Sequence, residues 1–233
     1  MKQKIILLLV LIAGLTACTK DDDNDDIQKD NVDFMDFPED FIEKGEYEGE
    51  WILNQEKIDT AMLIVTNKGI IVEPPSEQLI KYAAYLLTSG EVDNNLPNKK
   101  EFTLDKISTH NVAFEVSNDY HNWLLEAQGR SSNQFYFTIK SSHPTASFSN
   151  FVIAEGKMYY IDNNVKIDPC HLSLFTNEPI LAVFDRDTNL WVIQITLNKL
   201  YYQIDYNDII VDLESPLELI YVATKKVRNI ESN

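Results

Sequence analysis

From Tyr47 to Ala223 short runs rich in Ile, Val, Tyr, Phe and Trp follow one another at roughly ten-residue spacing, with polar turns between them. This period constrains the fold more than any other feature. Side chains that alternate along an extended backbone place one face in a core and leave the other to water. The runs are Tyr47 to Leu53, Thr60 to Thr66, Gly69 to Glu73, Glu101 to Ile107, Val112 to Val116, Trp123 to Gln128, Gln134 to Ile139, Phe148 to Ala154 and Met158 to Asp162. They continue as Ile180 to Phe184, Leu190 to Leu197, Leu200 to Tyr206, Ile209 to Leu213 and Leu217 to Ala223. Asn67-Lys68-Gly69, Ser131-Ser132-Asn133 and Glu155-Gly156-Lys157 read as turns.

Only one segment has helical spacing. After Pro74-Pro75, Leu79, Tyr82, Ala83, Leu86 and Leu87 recur on one face, with Ser76 as N-cap and Gly90 past the end, which predicts a helix near residues 76–88. Parallel strands need long crossover connections, and these are missing. The expected fold is therefore mainly β, a single domain over residues 37–233, with an antiparallel meander forming a barrel or sandwich. Closure into a barrel removes the exposed strand edges that invite aggregation. The string Gly45-Glu46-Tyr47-Glu48-Gly49-Glu50-Trp51 resembles the opening strand of lipocalin-like and calycin-like β-barrels, including uncharacterised bacterial lipoproteins assigned to that architecture. Trp51, Trp123 and Trp191 fall 72 and 68 residues apart, but their flanks do not align as a repeat.

The N-terminal region obeys different rules. Lys2 and Lys4 precede an apolar run from Ile5 to Ala13, too short for the roughly 20 residues that a spanning helix needs, so residues 1–17 read as a secretion signal. Leu15-Thr16-Ala17-Cys18 resembles a bacterial lipobox, which implies cleavage between Ala17 and Cys18 and lipidation of Cys18. Several acyl chains at ~0.8 kcal/mol per buried CH₂ make a lasting anchor, palmitate among them. Asp21, Asp22, Asp23, Asp25 and Asp26 follow at once, with nothing apolar to bury, so residues 18–36 read as a lipidated cysteine and a disordered acidic tether. That block resembles the surface-export signal of lipoproteins from Gram-negative gut-type bacteria, which implies an outer-membrane, cell-surface location.

Removal of the leader takes Lys2 and Lys4 and no acid, leaving 37 acids against 18 bases and a formal charge of −19. Such a surface repels phosphate backbones and anionic head groups, so nucleic acid is not an expected partner and membrane contact is expected through the lipid alone. Once Cys18 is acylated, Cys170 has no intrachain partner and reads as a small apolar core residue. A monomer held by packing is the expectation.

Catalytic motifs are not apparent. Asp185-Arg186-Asp187-Thr188-Asn189 begins like a calcium loop, but Leu190 stands where glycine belongs and Thr196 where a bidentate glutamate belongs, so a polar turn is expected. His110, His121, His143 and His171 have no metal-ligand spacing, and no metal or cofactor is expected. Cys170 and His171, adjacent on an extended chain, point to opposite faces and cannot pair. Glu46, Glu48 and Glu50 share one face, read as solvated. The densest set of groups able to hold a sugar or other small molecule is Asp119-Tyr120-His121-Asn122-Trp123, and Tyr120, His121 and Trp123 are the candidate ligand-binding residues; a hairpin turn is the plainer reading. The leading expectation is a non-enzymatic surface lipoprotein that binds a small molecule or glycan. A hydrolase acting on polysaccharide or peptide, and a structural subunit of a surface complex, are the alternatives.

Overall fold

The computed structural model describes residues 44–66, 69–89, 112–117, 120–131, 133–141, 151–162, 165–204 and 207–228. The leader, Cys18, the acidic block and the expected strand Glu101 to Ile107 lie outside these residues. Eleven antiparallel strands and one helix are described: β1 Gly45–Leu53, β2 Glu56–Val65, β3 Gly69–Val72, α1 Ser76–Ser89, β4 Val112–Val116, β5 His121–Ser131, β6 Gln134–Ser141, β7 Phe151–Asp162, β8 Val165–Thr176, β9 Ile180–Asp185, β10 Leu190–Ile204 and β11 Asn207–Arg228. The mainly β expectation holds.

Strand order runs β11-β1-β2-β3-β5-β6-β9-β10, and β10 pairs back onto β11. Eight strands thus form a closed hydrogen-bonded ring, an up-and-down barrel in which sequence neighbours are spatial neighbours except at two insertions. α1 and β4 are inserted between β3 and β5, and β7 and β8 between β6 and β9. Beyond the ring, β10 continues upward from Lys199 and pairs with β8, which pairs with β7 and then β4. The handover occurs at Asn198, where a single β10 residue faces Leu213 to Pro216 of β11, since Leu197 pairs with Leu217 and Lys199 with Asp212. Pro216 has no N–H to offer a ladder and sits where none is required. Asn198 Oδ1 accepts from the Asn177 backbone N–H at 3.3 Å, fixing the bend where β8 passes into β9.

Inward-facing residues alternate along every ring strand. Tyr47, Trp51, Leu63, Ile70, Trp123, Phe137, Phe184, Trp191, Ile193, Leu219 and Tyr221 belong to one continuous core. Glu48 and Glu50 face out and are exposed, as the alternation requires. α1 packs on β7, β8 and β4 through Leu79, Ile80, Ala83 and Leu87, joining the inserted layer to the barrel core.

Three sequence expectations need correction. Glu155-Gly156-Lys157 is not a turn but the middle of β7. A Cβ on Gly156 would stand 2.6 Å from Glu115 O and 3.2 Å from Ile80 of α1, so this glycine serves close approach, not reversal. Residues 165–176, outside the expected runs, form β8. Asp168-Pro169 resembles a turn signal, yet Met158 pairs with Cys170 and Tyr160 with Ile167, so these two residues bulge from a ladder that continues on both sides. The runs on either side of Asn198 are one strand, β10, and those on either side of Glu214 are one strand, β11.

Candidate functional site

β5 begins at His121, level with the end of β3, where His121 pairs with Val72 and Trp123 with Ile70. His121 and Trp123 are two residues apart on a strand and so share its inner face. Their rings lie 5.2 Å apart, tilted by 34°. Trp123 is only 4% exposed and packs in the barrel core, backing the histidine instead of presenting its own face to solvent. Tyr120, immediately before the strand, is 59% exposed.

His121 is held from the inserted layer. Its Nε2 lies 3.0 Å from the carbonyl oxygen of Ile153, and a carbonyl only accepts, so Nε2 carries the proton. The carbonyl is available because Ile153 is a bulge: Val152 pairs with Phe175 and Ala154 with Leu174, leaving Ile153 without an opposite residue. Ile153 itself is fully buried, while Val152 beside it is exposed. The His121–Ile153 contact thus joins β5 to β7, with exposed Tyr120 next to His121 in the chain and exposed Val152 next to Ile153. Tyr120, His121 and Trp123 are the residues that the sequence singles out. The contact to Ile153 is not legible there, because a bulge depends on the partner strand's register.

At the same end of the barrel the indole N–H of Trp51 donates to Glu73 O at 2.8 Å. Deeper in, Trp191 is enclosed by Phe184 (4.8 Å between ring centres), Phe137 (5.9 Å) and Tyr47 (6.4 Å). These four rings pack as one cluster. The Trp191 N–H has no hydrogen-bond partner there.

The remaining candidate groups are engaged in structure. Burial pushes the Cys170 thiol up to about 12, so it stays protonated and a poor nucleophile, and His171 faces the opposite side of β8. Residues 186–189 form the turn between β9 and β10, as expected, with Asn189 at φ 51°. Asp185 Oδ1 accepts from the Thr188 N–H at 3.1 Å, and Asp187 Oδ2 accepts from Asn133 Nδ2 at 2.6 Å, tying this turn to the neighbouring hairpin. Among the described residues no three His, Cys, Asp or Glu side chains are grouped as metal ligands. No helix of the described residues is long and apolar enough to cross a membrane. No protein-family model, no curated protein and no solved structure matches this chain.

Proposed function

We propose that this chain is a lipid-anchored outer-membrane protein, exposed at the cell surface through Cys18 and its acidic tether, whose barrel domain binds a glycan at the rim formed by Tyr120, His121 and Val152. The observation that carries this reading is the exposed ring of Tyr120 at the start of β5, next in the chain to a histidine whose orientation is fixed by Ile153 O. The C–H face of a sugar ring carries slight positive charge and settles on the negative face of an exposed aromatic ring such as that of Tyr120. The aromatic packing around Trp191 favours the rim over an apolar ligand inside the barrel. The resemblance of Gly45 to Trp51 to the opening of lipocalin-like barrels extends to architecture, not to ligand.

Affinity electrophoresis in gels containing xylan, mannan, starch or pectin tests this reading. Retardation by at least one polysaccharide, abolished by Tyr120→Ala, is expected. Unchanged mobility in all four, or retardation indifferent to Tyr120→Ala, would overturn binding at this rim.

A further inference from the structure

At the end of the barrel opposite His121, two β-bulges turn a cation inward. On β5, Ala127 pairs with Phe137 and Gly129 with Tyr136, so Gln128 is an extra residue and the side-chain phase reverses after it. Arg130 consequently stands opposite Phe135, a core residue, on the inner face; an unbroken strand would have put it on the outer one. On β11, Ala223 pairs with Gly49 and Lys225 with Glu48, so Thr224 is the extra residue, and Lys226 stands opposite the inward Tyr47. Its Nζ lies 5.8 Å from the centre of the Tyr47 ring. Both cations are partly exposed, while the rings beside them are buried. Those rings form a continuous layer. Phe135 pairs with Phe184 and Phe184 with Trp191, so Arg130, Phe135, Phe184 and Trp191 stand side by side on four adjacent strands. Ring centres are 6.3 Å apart for Phe135 and Phe184 and 4.8 Å for Phe184 and Trp191, and Tyr47 meets Trp191 at 6.4 Å. Trp191 is fully buried and its indole N–H has no acceptor. Among the described residues no ion pair engages the Arg130 guanidinium.

We infer that this end of the barrel binds an organic carboxylate with a compact aromatic body, its carboxylate held by Arg130 and Lys226 and its body set against the ring layer. The planar guanidinium matches the two oxygens of a carboxylate, and the ammonium adds a point charge. By either path round the ring β5 and β11 lie four strands apart, so the two cations approach from opposite walls. The interior of an eight-stranded barrel is wide enough for side chains or one small ligand between such walls. A hydrated phosphate would give up water against the rings with nothing to replace it, and a neutral ligand would leave the guanidinium unanswered. The Trp191 N–H, a buried donor without an acceptor, adds to the preference for negative charge nearby. The body rests on the ring layer and not within it, so the packing around Trp191 stays closed. Arg130 follows His121 by nine residues on β5, about 30 Å at ~3.3 Å per residue, which makes this site separate from the surface around Tyr120.

Titration of the ¹⁵N-labelled full-length chain with phenylacetate, 2-phenylethanol and inorganic phosphate, followed by NMR, tests the site. Phenylacetate should move the Trp191 indole and Arg130 Nε–H resonances along one saturation curve and leave the Trp51 indole, at the other end of the barrel, where it is. The uncharged 2-phenylethanol should give no saturable shift. Arg130→Gln should weaken phenylacetate binding about tenfold or more, with the Trp51 resonance in place as the sign of an intact barrel. Lys226→Arg, which keeps the charge, should bind within about threefold of the wild type. The wild-type curves need no substitution and decide the matter if a variant fails to fold. No saturable shift with phenylacetate, different curves for the two resonances, equal binding by Arg130→Gln or of 2-phenylethanol, or phosphate binding as tight as that of phenylacetate would each overturn the carboxylate site.

Discussion

Tyr221 of β11 lies across Gly49 of β1 and donates its phenolic hydroxyl to Ala61 O of β2 at 2.8 Å, spanning three adjacent strands of the ring. A Cβ at position 49 would be driven into the Tyr221 ring. The glycine leaves the space, Trp51 packs on the same ring at 5.0 Å between centres, and the hydroxyl pins the next strand. The Gly-x-Tyr-x-Gly-x-Trp opening is thus a packing device of the first strand. Gly49→Ala should destabilise the domain by about 1–3 kcal/mol through overpacking. Tyr221→Phe should cost about 1 kcal/mol, leaving a carbonyl short of its donor. Denaturant unfolding of both variants and of the pair checks this: with Tyr221→Leu in place, Gly49→Ala should cost distinctly less than on its own. Strict additivity would show the two side chains to be independent.

Trp51 and Trp191 make a matched comparison, because both are fully buried and differ in the fate of the indole N–H. The first donates to Glu73 O; the second has no partner. Replacing either with Phe removes the same volume. Trp51→Phe should therefore cost at least about 1 kcal/mol more than Trp191→Phe, which deletes an unsatisfied donor along with the ring. Urea midpoints at constant m-value decide it. Equal losses would mean that a buried water serves Trp191.

The Cys170 thiol is pushed from 9.0 up to about 12 by burial, with a backbone hydrogen bond from the Gln203 region acting in the opposite direction. A folded pKa above the unfolded one means that the unfolded chain gives up this proton first. The associated stability is intact below pH 9 and declines as pH rises from 9 towards 12. Tyr221 is also shifted upward by burial, but its contribution begins near the ordinary tyrosine value of 10.0. Thermal melts from pH 8 to 10 should fall in the wild type and fall less in Cys170→Ala. Ellman's reagent should label Cys170 only after unfolding; rapid labelling of the native protein would refute the burial of the thiol.

Cys18→Ala should release the protein from the membrane fraction, since the proposed anchor is the lipid on that residue and the segment that follows is acidic. Fractionation with labelled palmitate provides the check: label and membrane association should disappear together. Retention of the unlabelled variant in the pellet would require another means of attachment.

Much of the barrel is legible because side-chain alternation is local. The outlines of β1, β3, β6, β9 and α1, and the reversals between β5 and β6 and after Asp185, follow from period and turn chemistry within each segment. β8 lies outside the runs that the period picks out, and Gly156, which reads as part of a turn, instead meets a helix in the fold. At the candidate site the same division holds. Tyr120, His121 and Trp123 are contiguous in the chain and visible as a cluster. Which of their rings faces solvent was not visible, because inward and outward differ by one residue of phase and only the closed ring defines an inside.

The sequence by itself determined the β-class, the antiparallel sense, the helix and its apolar face, and the negative charge, because each depends on residue types within a few positions of one another. Tertiary structure alone decided that β10 closes the ring onto β11 and then leaves it at Asn198, that Gly49 makes room for Tyr221, and that Ile153 turns its carbonyl to His121. Each of these contacts joins residues whose chain separation carries no local signal. Their free energy depends on registers and bulges that exist only once the partner strands are paired.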